Sequence, residues 1–449
     1  MKYRMRWMSV MGAVVLAGGP LGAGAEPGPG SASDLFESIL DGKPPQILKE
    51  LLPAPEGVRV RRVLFRTRGK NMVYAVIASP KAPGPHPGML LLHGSGGSAE
   101  EHKALAWAQR GYVALAPDIP GLYSPLTSGN LPMSKNYAEG RYALEPDSTH
   151  SVIYDGVLAA VKALDLLRAQ PEVDPQRVGV CGVSWGGTMT TMVCALAGEK
   201  VRAAFAIYGC GFFELGNWRT NKPFPGARAG SWAGNLRPEE AEKWLRDFDP
   251  GRRAKGIKAA FFHASAANDF FGWPEAVQAT LDAIPGEKNH VYAPNSNHRI
   301  LVPGGSVFAE DEARGAGGRL AGSRANWVAM EVPYFEYHLK GVGEAMPRVS
   351  LKESESPHTA RFEVRSTRPL AKVEVYWARA FTAEECADSE RLRQAQSKRE
   401  WISVEARGSL EEGYRAELPR EAGVWFALVT DDRPVSVSSP LVSLPGAGR

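Results

Sequence analysis

Cysteine is scarce in this chain: there are four among 449 residues, at positions 181, 194, 210 and 386. So few, so widely spread, cannot form the disulfide framework that staples small exported domains, and the fold must rest on a buried core. Cys181 and Cys210 lie on apolar, strand-like runs, where a buried free thiol is expected. The short His and Cys spacings of a zinc site are missing too, and neither metal nor cofactor is expected. Charge of one sign is also lacking, since 53 Lys and Arg face 49 Asp and Glu for a formal net charge of +4. That excess gives no attraction to nucleic acid or to a membrane surface. No internal repeat or low-complexity tract stands out, and no apolar run reaches the roughly 20 residues that span a bilayer.

What is present begins with an export pattern. Lys2, Arg4 and Arg6 precede an apolar stretch from Met8 to Leu16, and Ala23-Gly24-Ala25 supplies a small-residue cleavage site. Residues 1–25 are therefore expected to be a cleaved signal peptide, with the mature protein in the periplasm or outside the cell. Losing its three basic residues lowers the formal net charge from +4 to +1. Residues 26–55 form an N-terminal extension, with short helices expected over 33–40 and 45–52.

From Val58 the pattern is of strands, VRVRRVLF and then MVYAVIAS. The continuous apolar run GMLLLH (88–93) suits a central parallel strand. Strands and helices then alternate. Ser98 to Glu101 reads as a capping box opening a helix that runs to Arg110, and YVALAP (112–117) follows as a strand. Ile153, Val157, Val161, Leu164 and Leu167 make the apolar stripe of a helix over 148–169. Further strands are expected at VGVCGV, AAFAIY, AAFFHA and HVYA, with helices at 238–247, 275–284 and 323–340, the last shifted by Pro333. This alternation predicts an α/β fold with a doubly wound, mostly parallel sheet over residues 56–345. Beyond it, period-two alternation predicts a small β-sandwich over 346–449, interrupted by a helix-prone insertion at 383–398. At least some of Trp377, Trp401 and Trp425 are expected to anchor the sandwich core, a carbohydrate platform being the alternative. The sandwich is expected to supply no catalytic residue, so that cutting near Ala345 spares the chemistry.

The chemistry centres on Val178 to Met189, VGVCGVSWGGTM. A buried strand breaks at Gly182-Val183-Ser184-Trp185-Gly186, a G-x-S-x-G turn leading into a helix, which is the setting of a nucleophilic serine. Acyl transfer then needs a base, an acid to orient it and donors for an oxyanion, all on loops that follow strands. Asp269, in the turn after AAFFHA, is the acid, with Asp247 and Asp249 as rivals that precede that strand. His298, after HVYA, is the base; His290 comes too early in its strand, and His338 lies on a helix among aromatics. The order Ser184, Asp269, His298 is the order this kind of sheet requires. The loop His93 to Gly97 lacks the G-K-[ST] ending of a phosphate loop. The N–H groups of Ser95 and Trp185 are assigned to the oxyanion hole, with Gly94 or Gly96 able to replace Ser95. Asp118 is read as a structural acid. Insertions at 120–148 and 210–250 lie above the strand ends. The second carries Phe212, Phe213, Trp218, Phe224, Trp232 and Trp244, which either cover the site or form a core of their own.

HGSGG, DPQRVGVCGVSWGG, YGCG, ANDFF and IPGEKN…PNSNH together resemble the α/β-hydrolases, in the branch of dienelactone hydrolases and bacterial acetyl xylan esterases. The last two segments, with VYWARA and VTDDRPVSVSSPLV in the tail, also resemble PhoPQ-regulated pathogenicity-related proteins. The resemblance implies two-step acyl transfer through an acyl-enzyme on Ser184, without a cofactor. Two departures stand out: Trp185 occupies a place that is Gln in many acetyl xylan esterases, and the Tyr often found beside the glycine pair of the His93 loop is missing. The expectation is a secreted serine carboxylic ester hydrolase acting on short, acetyl-like esters of small molecules or carbohydrates. The alternatives are an exported serine peptidase of the same fold and a non-catalytic binding protein.

Overall fold

The computed structural model describes residues 32–51, 58–69, 71–94, 97–119, 140–223, 233–269, 271–298, 330–433 and 435–444. Its frame is a nine-stranded sheet: β1 (Ile47–Leu51), β2 (Val58–Arg66), β3 (Met72–Pro80), β4 (His86–Leu92), β5 (Val113–Pro117), β6 (Val173–Val183), β7 (Ala203–Ile207), β8 (Ala260–Ala266) and β9 (Lys288–Ala293). The order across the sheet is β1-β2-β3-β5-β4-β6-β7-β8-β9. The first three strands and β5 pair antiparallel, while β5 through β9 run parallel. The parallel strands are buried along nearly their whole length, as expected of strands with helices on both faces. Helix α1 is Ala32–Glu37. Helix α2 (Glu101–Gln109) packs on β3 and β5, α3 (Val152–Arg168) on β4 and β5, and α4 (Trp185–Ala197) on β6 and β7. Helices α5 (Pro238–Phe248) and α6 (Pro274–Ala283) follow, and 330–335 is a helix that passes into a π-helical turn at Glu336–Lys340.

Two local expectations are corrected. The segment around 45–52 is strand β1, not a helix, because it pairs antiparallel with β2 from Ile47 opposite Phe65 to Leu51 opposite Arg62. An unpaired outer strand offers a row of backbone groups, and the extension satisfies them. Helix α2 also lacks its capping box: its N-cap is Glu100, with no side-chain cap bond. The Glu101 carboxylate instead takes a hydrogen bond of 2.9 Å from Arg62 Nε on β2.

Residues 348–443 form two antiparallel sheets. One has the order β10 (Arg348–Leu351), β11 (Thr359–Arg365), β15 (Gly413–Glu417), β14 (Arg407–Ser409). The other has the order β13 (Ile402–Glu405), β12 (Leu370–Arg379), β16 (Ala422–Asp431), β17 (Ser436–Ser438), with β18 (Val442–Ser443) also on β16. Trp377, Trp401 and Trp425 are all buried; Trp377 faces Trp425 across the ladder, and Trp401 packs 4.9 Å from Phe426. The insertion forms two short helices, α7 (Ala383–Ala387) and α8 (Ser389–Ser397), each N-capped by a side chain, from Thr382 and Asp388.

These sheets close the open edge of the large one. Beyond β9 there is no tenth strand among the described residues; instead Tyr292 N–H donates to Ser438 Oγ at 2.9 Å and His290 Nε2 lies 2.9 Å from the Ser439 carbonyl. Tyr292 also packs 5.3 Å from Phe426.

Candidate active site

Strand order decides where the site forms. The chain leaves β4 toward β5 on one side and returns with β6 on the other, and the connections therefore part above the carboxyl ends of β4 and β6. At that crevice Gly94 follows β4 and Ser184 follows β6. A Cβ on Gly94 would lie 3.2 Å from Ser184 Cβ and 2.7 Å from the Val183 carbonyl, so the two loops touch backbone to side chain.

Ser184 has φ 59° and ψ −119°, outside the regions open to ordinary residues. Its N–H is anchored to the Ile207 carbonyl at 2.8 Å, and its carbonyl accepts the Thr188 N–H at 2.9 Å to begin α4. The glycines of the motif make this possible: a Cβ on Gly182 would sit 2.3 Å from the Gly186 carbonyl oxygen, and one on Gly186 2.0 Å from that of Leu92. The turn lifts Ser184 Oγ to 2.8 Å from His298 Nε2. On the other side of the ring, Nδ1 lies 2.9 and 3.1 Å from the two oxygens of Asp269. A carboxylate only accepts, so Nδ1 carries the proton and the lone pair of Nε2 faces the serine hydroxyl.

Burial sharpens the arrangement. Asp269 is fully buried and His298 nearly so. Asp269 Oδ1 also accepts the Phe271 N–H at 2.7 Å, which fixes the carboxylate plane. The His298 ring lies between aromatics, 4.7 Å from Tyr208 and 5.9 Å from Phe271. Tyr208 is itself held at positive φ just after β7.

The other sequence candidates fall as follows. Trp185 is buried at the first turn of α4, where the helix leaves its backbone N–H groups and the positive end of its dipole next to Ser184. Ser95 and Gly96 lie outside the described residues, as do Phe224 and Trp232. Asp247 accepts the Ser148 hydroxyl at 2.5 Å, and Asp249 takes the N–H groups of Phe212, Phe213 and Gly251, so both rivals organise loops. Asp118 is buried behind β5 with Oδ1 3.6 Å from His93 Nε2, which accepts the Ile119 N–H at 2.8 Å. Burial holds the His93 imidazole below the usual histidine range. His290 and His338 stay away from Ser184, the latter packed on Tyr334. All four cysteines are free, and Cys181, Cys194 and Cys210 are buried. Among the described residues no cluster of three or more His, Cys, Asp or Glu is placed to hold a metal, and no helix is long and apolar enough to cross a membrane.

The aromatic insertion is both a core and a wall. Trp244 packs on Phe213 (5.7 Å), Trp218 (5.3 Å) and Phe248 (5.7 Å), while Phe213 and Phe271 reach Trp185 at 6.4 and 5.6 Å. The Arg141 guanidinium lies 5.2 Å over the Trp185 ring.

The fold recurs in proteins of known structure. Acetyl xylan esterase 1 from Thermoanaerobacterium sp. superposes with a TM-score of 0.52 at 21% identity, covering 61% of this chain and 89% of its own. An acetyl xylan esterase from Paenibacillus sp. gives 0.51 at 22%, over 60% and 88%. The chain has the α/β-hydrolase fold. Residues 73–225 match the dienelactone hydrolase family and 154–311 the prolyl oligopeptidase family. Two Mus musculus proteins, acyl-coenzyme A thioesterase 1 and mitochondrial acyl-coenzyme A thioesterase 2, are 30% and 29% identical over 150 residues. That is 33% of this chain and only 29% and 27% of theirs, so the chain matches less than a third of either relative.

Sequence reasoning did not place Tyr208, Phe271, Asn268 or Asn295 at the site. Tyr208 stands in the YGCG run after β7, and position after a strand was the available signal. For Asn268 and Asn295 the partners lie more than 100 residues away, and no local signal exists.

Proposed function

We propose that this protein is a serine hydrolase of carboxylic esters, preferring short acyl groups, with Ser184 as nucleophile, His298 as general base and Asp269 as orienting acid. The observation that carries the reading is the unbroken chain Ser184 Oγ–His298 Nε2, His298 Nδ1–Asp269, with contacts of 2.8 and 2.9 Å. His298 takes the hydroxyl proton as Ser184 attacks the ester carbonyl. Asp269 holds the tautomer and stabilises the imidazolium. The Trp185 N–H and an N–H of the His93–Gly97 loop (Ser95 in this reading) receive the oxyanion. His298 then protonates the departing alcohol and later activates water to cleave the acyl-enzyme. The substrate is a small-molecule or carbohydrate ester, and the names of the fold neighbours support the latter. The N-terminal charge and hydropathy pattern supports export.

A second reading, peptide hydrolysis, is favoured by the prolyl oligopeptidase match over 154–311. The test is a panel of acetylated sugars, aryl esters of rising acyl length, acyl thioesters and peptide amides, run on wild type and Ser184→Ala. The ester reading expects acetate turnover that falls by about 10³-fold or more in Ser184→Ala. Amide cleavage without comparable ester cleavage supports the peptidase instead. Equal turnover by the two proteins removes both.

A further inference from the structure

Asp269 and His298 stand on the loops after β8 and β9, the outermost pair of the large sheet, where a loop lacks neighbours on one side. Their contact must nevertheless be held within a fraction of an ångström, because a shift of 1 Å in a catalytic group costs about 10²-fold in rate. The missing neighbours come from the C-terminal sheets. Gln396, at the end of α8 and without solvent exposure, donates from Nε2 to the Ala267 carbonyl at 3.1 Å and reaches the Asp269 carbonyl at 3.5 Å. In return Asn268 Nδ2 donates to the Arg399 carbonyl at 2.6 Å and the Gln396 carbonyl at 3.3 Å. Carbonyls at a helix end have no partner within the helix, so each side supplies what the other needs.

The His298 loop is gripped in the same way. Asn295, held at φ 52°, donates from Nδ2 to the Trp401 carbonyl at 2.8 Å, and its Oδ1 accepts the Trp401 N–H at 2.9 Å. Trp401 cannot yield, being buried against Phe426. The two loops are also tied to one another, Asn268 N–H to the Ser296 carbonyl at 2.9 Å. Arg399 locks the intervening segment by lying 4.4 Å over Phe381, with Nη2 donating to the Arg379 carbonyl at 2.9 Å.

We propose that Gln396 and Asn295 are positioning residues of the hydrolytic site, and that the segment from Gln396 to Trp401 makes the C-terminal sheets part of its machinery. This rests on the ester hydrolase reading. It reverses the expectation that cutting near Ala345 spares the chemistry. It also differs from mere docking, because other bonds hold the two parts together away from the loops: Asn289 Nδ2 to the Pro347 carbonyl at 2.8 Å, and Leu441 N–H to Gln278 Oε1 at 3.0 Å.

The experiment uses full-length protein and aryl acetate, comparing wild type with Gln396→Met, Asn295→Gly, Asn295→Asp, Asn289→Ala and Ser184→Ala. Gln396→Met and Asn295→Gly are expected to lower kcat by about 10- to 100-fold with little change in KM, and to shift the acid limb of the pH–rate profile. Asn295→Asp retains the acceptor for the Trp401 N–H and should recover part of the loss. Asn289→Ala should keep wild-type kcat. Wild-type kcat and pH profile in both loop variants overturn the proposal. So does an equal kcat loss in Asn289→Ala at equal thermal stability, which marks a docking effect only. If one loop variant fails to fold, the other decides. Wild type and Ser184→Ala with equal turnover defeat the ester reading alone. The low-field proton resonance of His298 Nδ1–H then tests the clamp without substrate: it should broaden or move in the folded loop variants, and an unchanged resonance refutes positioning.

Discussion

Ser184 shows what one residue demands of its neighbours. Its backbone angles are strained, and conformations of this kind cost about 1–3 kcal/mol, which the surrounding contacts must offset. Gly186 is where that arrangement is least forgiving. Gly186→Ala puts a Cβ 2.0 Å from the Leu92 carbonyl oxygen, a backbone atom that cannot rotate away. The variant is expected to lose soluble folded protein or several degrees of melting temperature, and a wild-type melting curve contradicts this account. Asp269→Asn makes the complementary point about chemistry. An amide in place of the carboxylate favours the wrong imidazole tautomer, so kcat should fall by about 10³- to 10⁴-fold while circular dichroism stays unchanged.

At the level of elements, most of the frame was legible because its signals are local. The apolar runs of β4, β6, β7 and β8, the stripe of α3, and the glycines around Ser184 each dictate structure from within a short window. The convergence of Asp269 and His298 on Ser184 was legible because each follows a strand in the required order. The failures have the opposite cause. Strand β1 exists because β2 presents an edge, and the α2 cap is lost because Arg62, 39 residues away, takes the Glu101 carboxylate. The grip on Asn268 and Asn295 comes from residues more than 100 positions later. The proposed acyl preference belongs to the same scale. Trp185, Phe213 and Phe271 form a continuous aromatic wall beside Ser184. Trp185→Ala should therefore raise the kcat/KM ratio of hexanoate to acetate esters, and an unchanged ratio shows that the wall lies off the acyl path.

For the whole molecule, acid is the sensitive variable. His263 on β8 and His290 on β9 are buried, and the loss of hydration pushes each down to about 4 from an ordinary 6.5. Each hydrogen-bonds a carbonyl through Nε2, Gly209 at 2.6 Å and Ser439 at 2.9 Å. Below pH 6.5 the unfolded chain takes up these protons and the folded chain does not. Their stabilising contribution is thus full above about 6.5 and lost as pH falls toward 4, by about 2 kcal/mol per histidine at pH 5. Urea midpoints measured from pH 7 to pH 5 should fall accordingly. A His290→Gln variant should show a shallower slope, and an equal slope means His290 is not a source of the acid sensitivity.

The bond from Tyr292 N–H to Ser438 Oγ also has a meaning in time. Synthesis runs from one end of the chain to the other, so Ser184, Asp269 and His298 have all left the ribosome well before the residues that brace them. A nascent chain arrested after residue 345 carries every reacting atom, yet lacks Gln396, Trp401 and Ser438. Such a chain is expected to react poorly with a serine-directed fluorophosphonate, and one released beyond Ser439 to react fully. Equal labelling of the two rules this order out. On the expected outcome the protein is armed late in its own biogenesis, a delay that would keep an unspecific serine idle while the polypeptide is still being made.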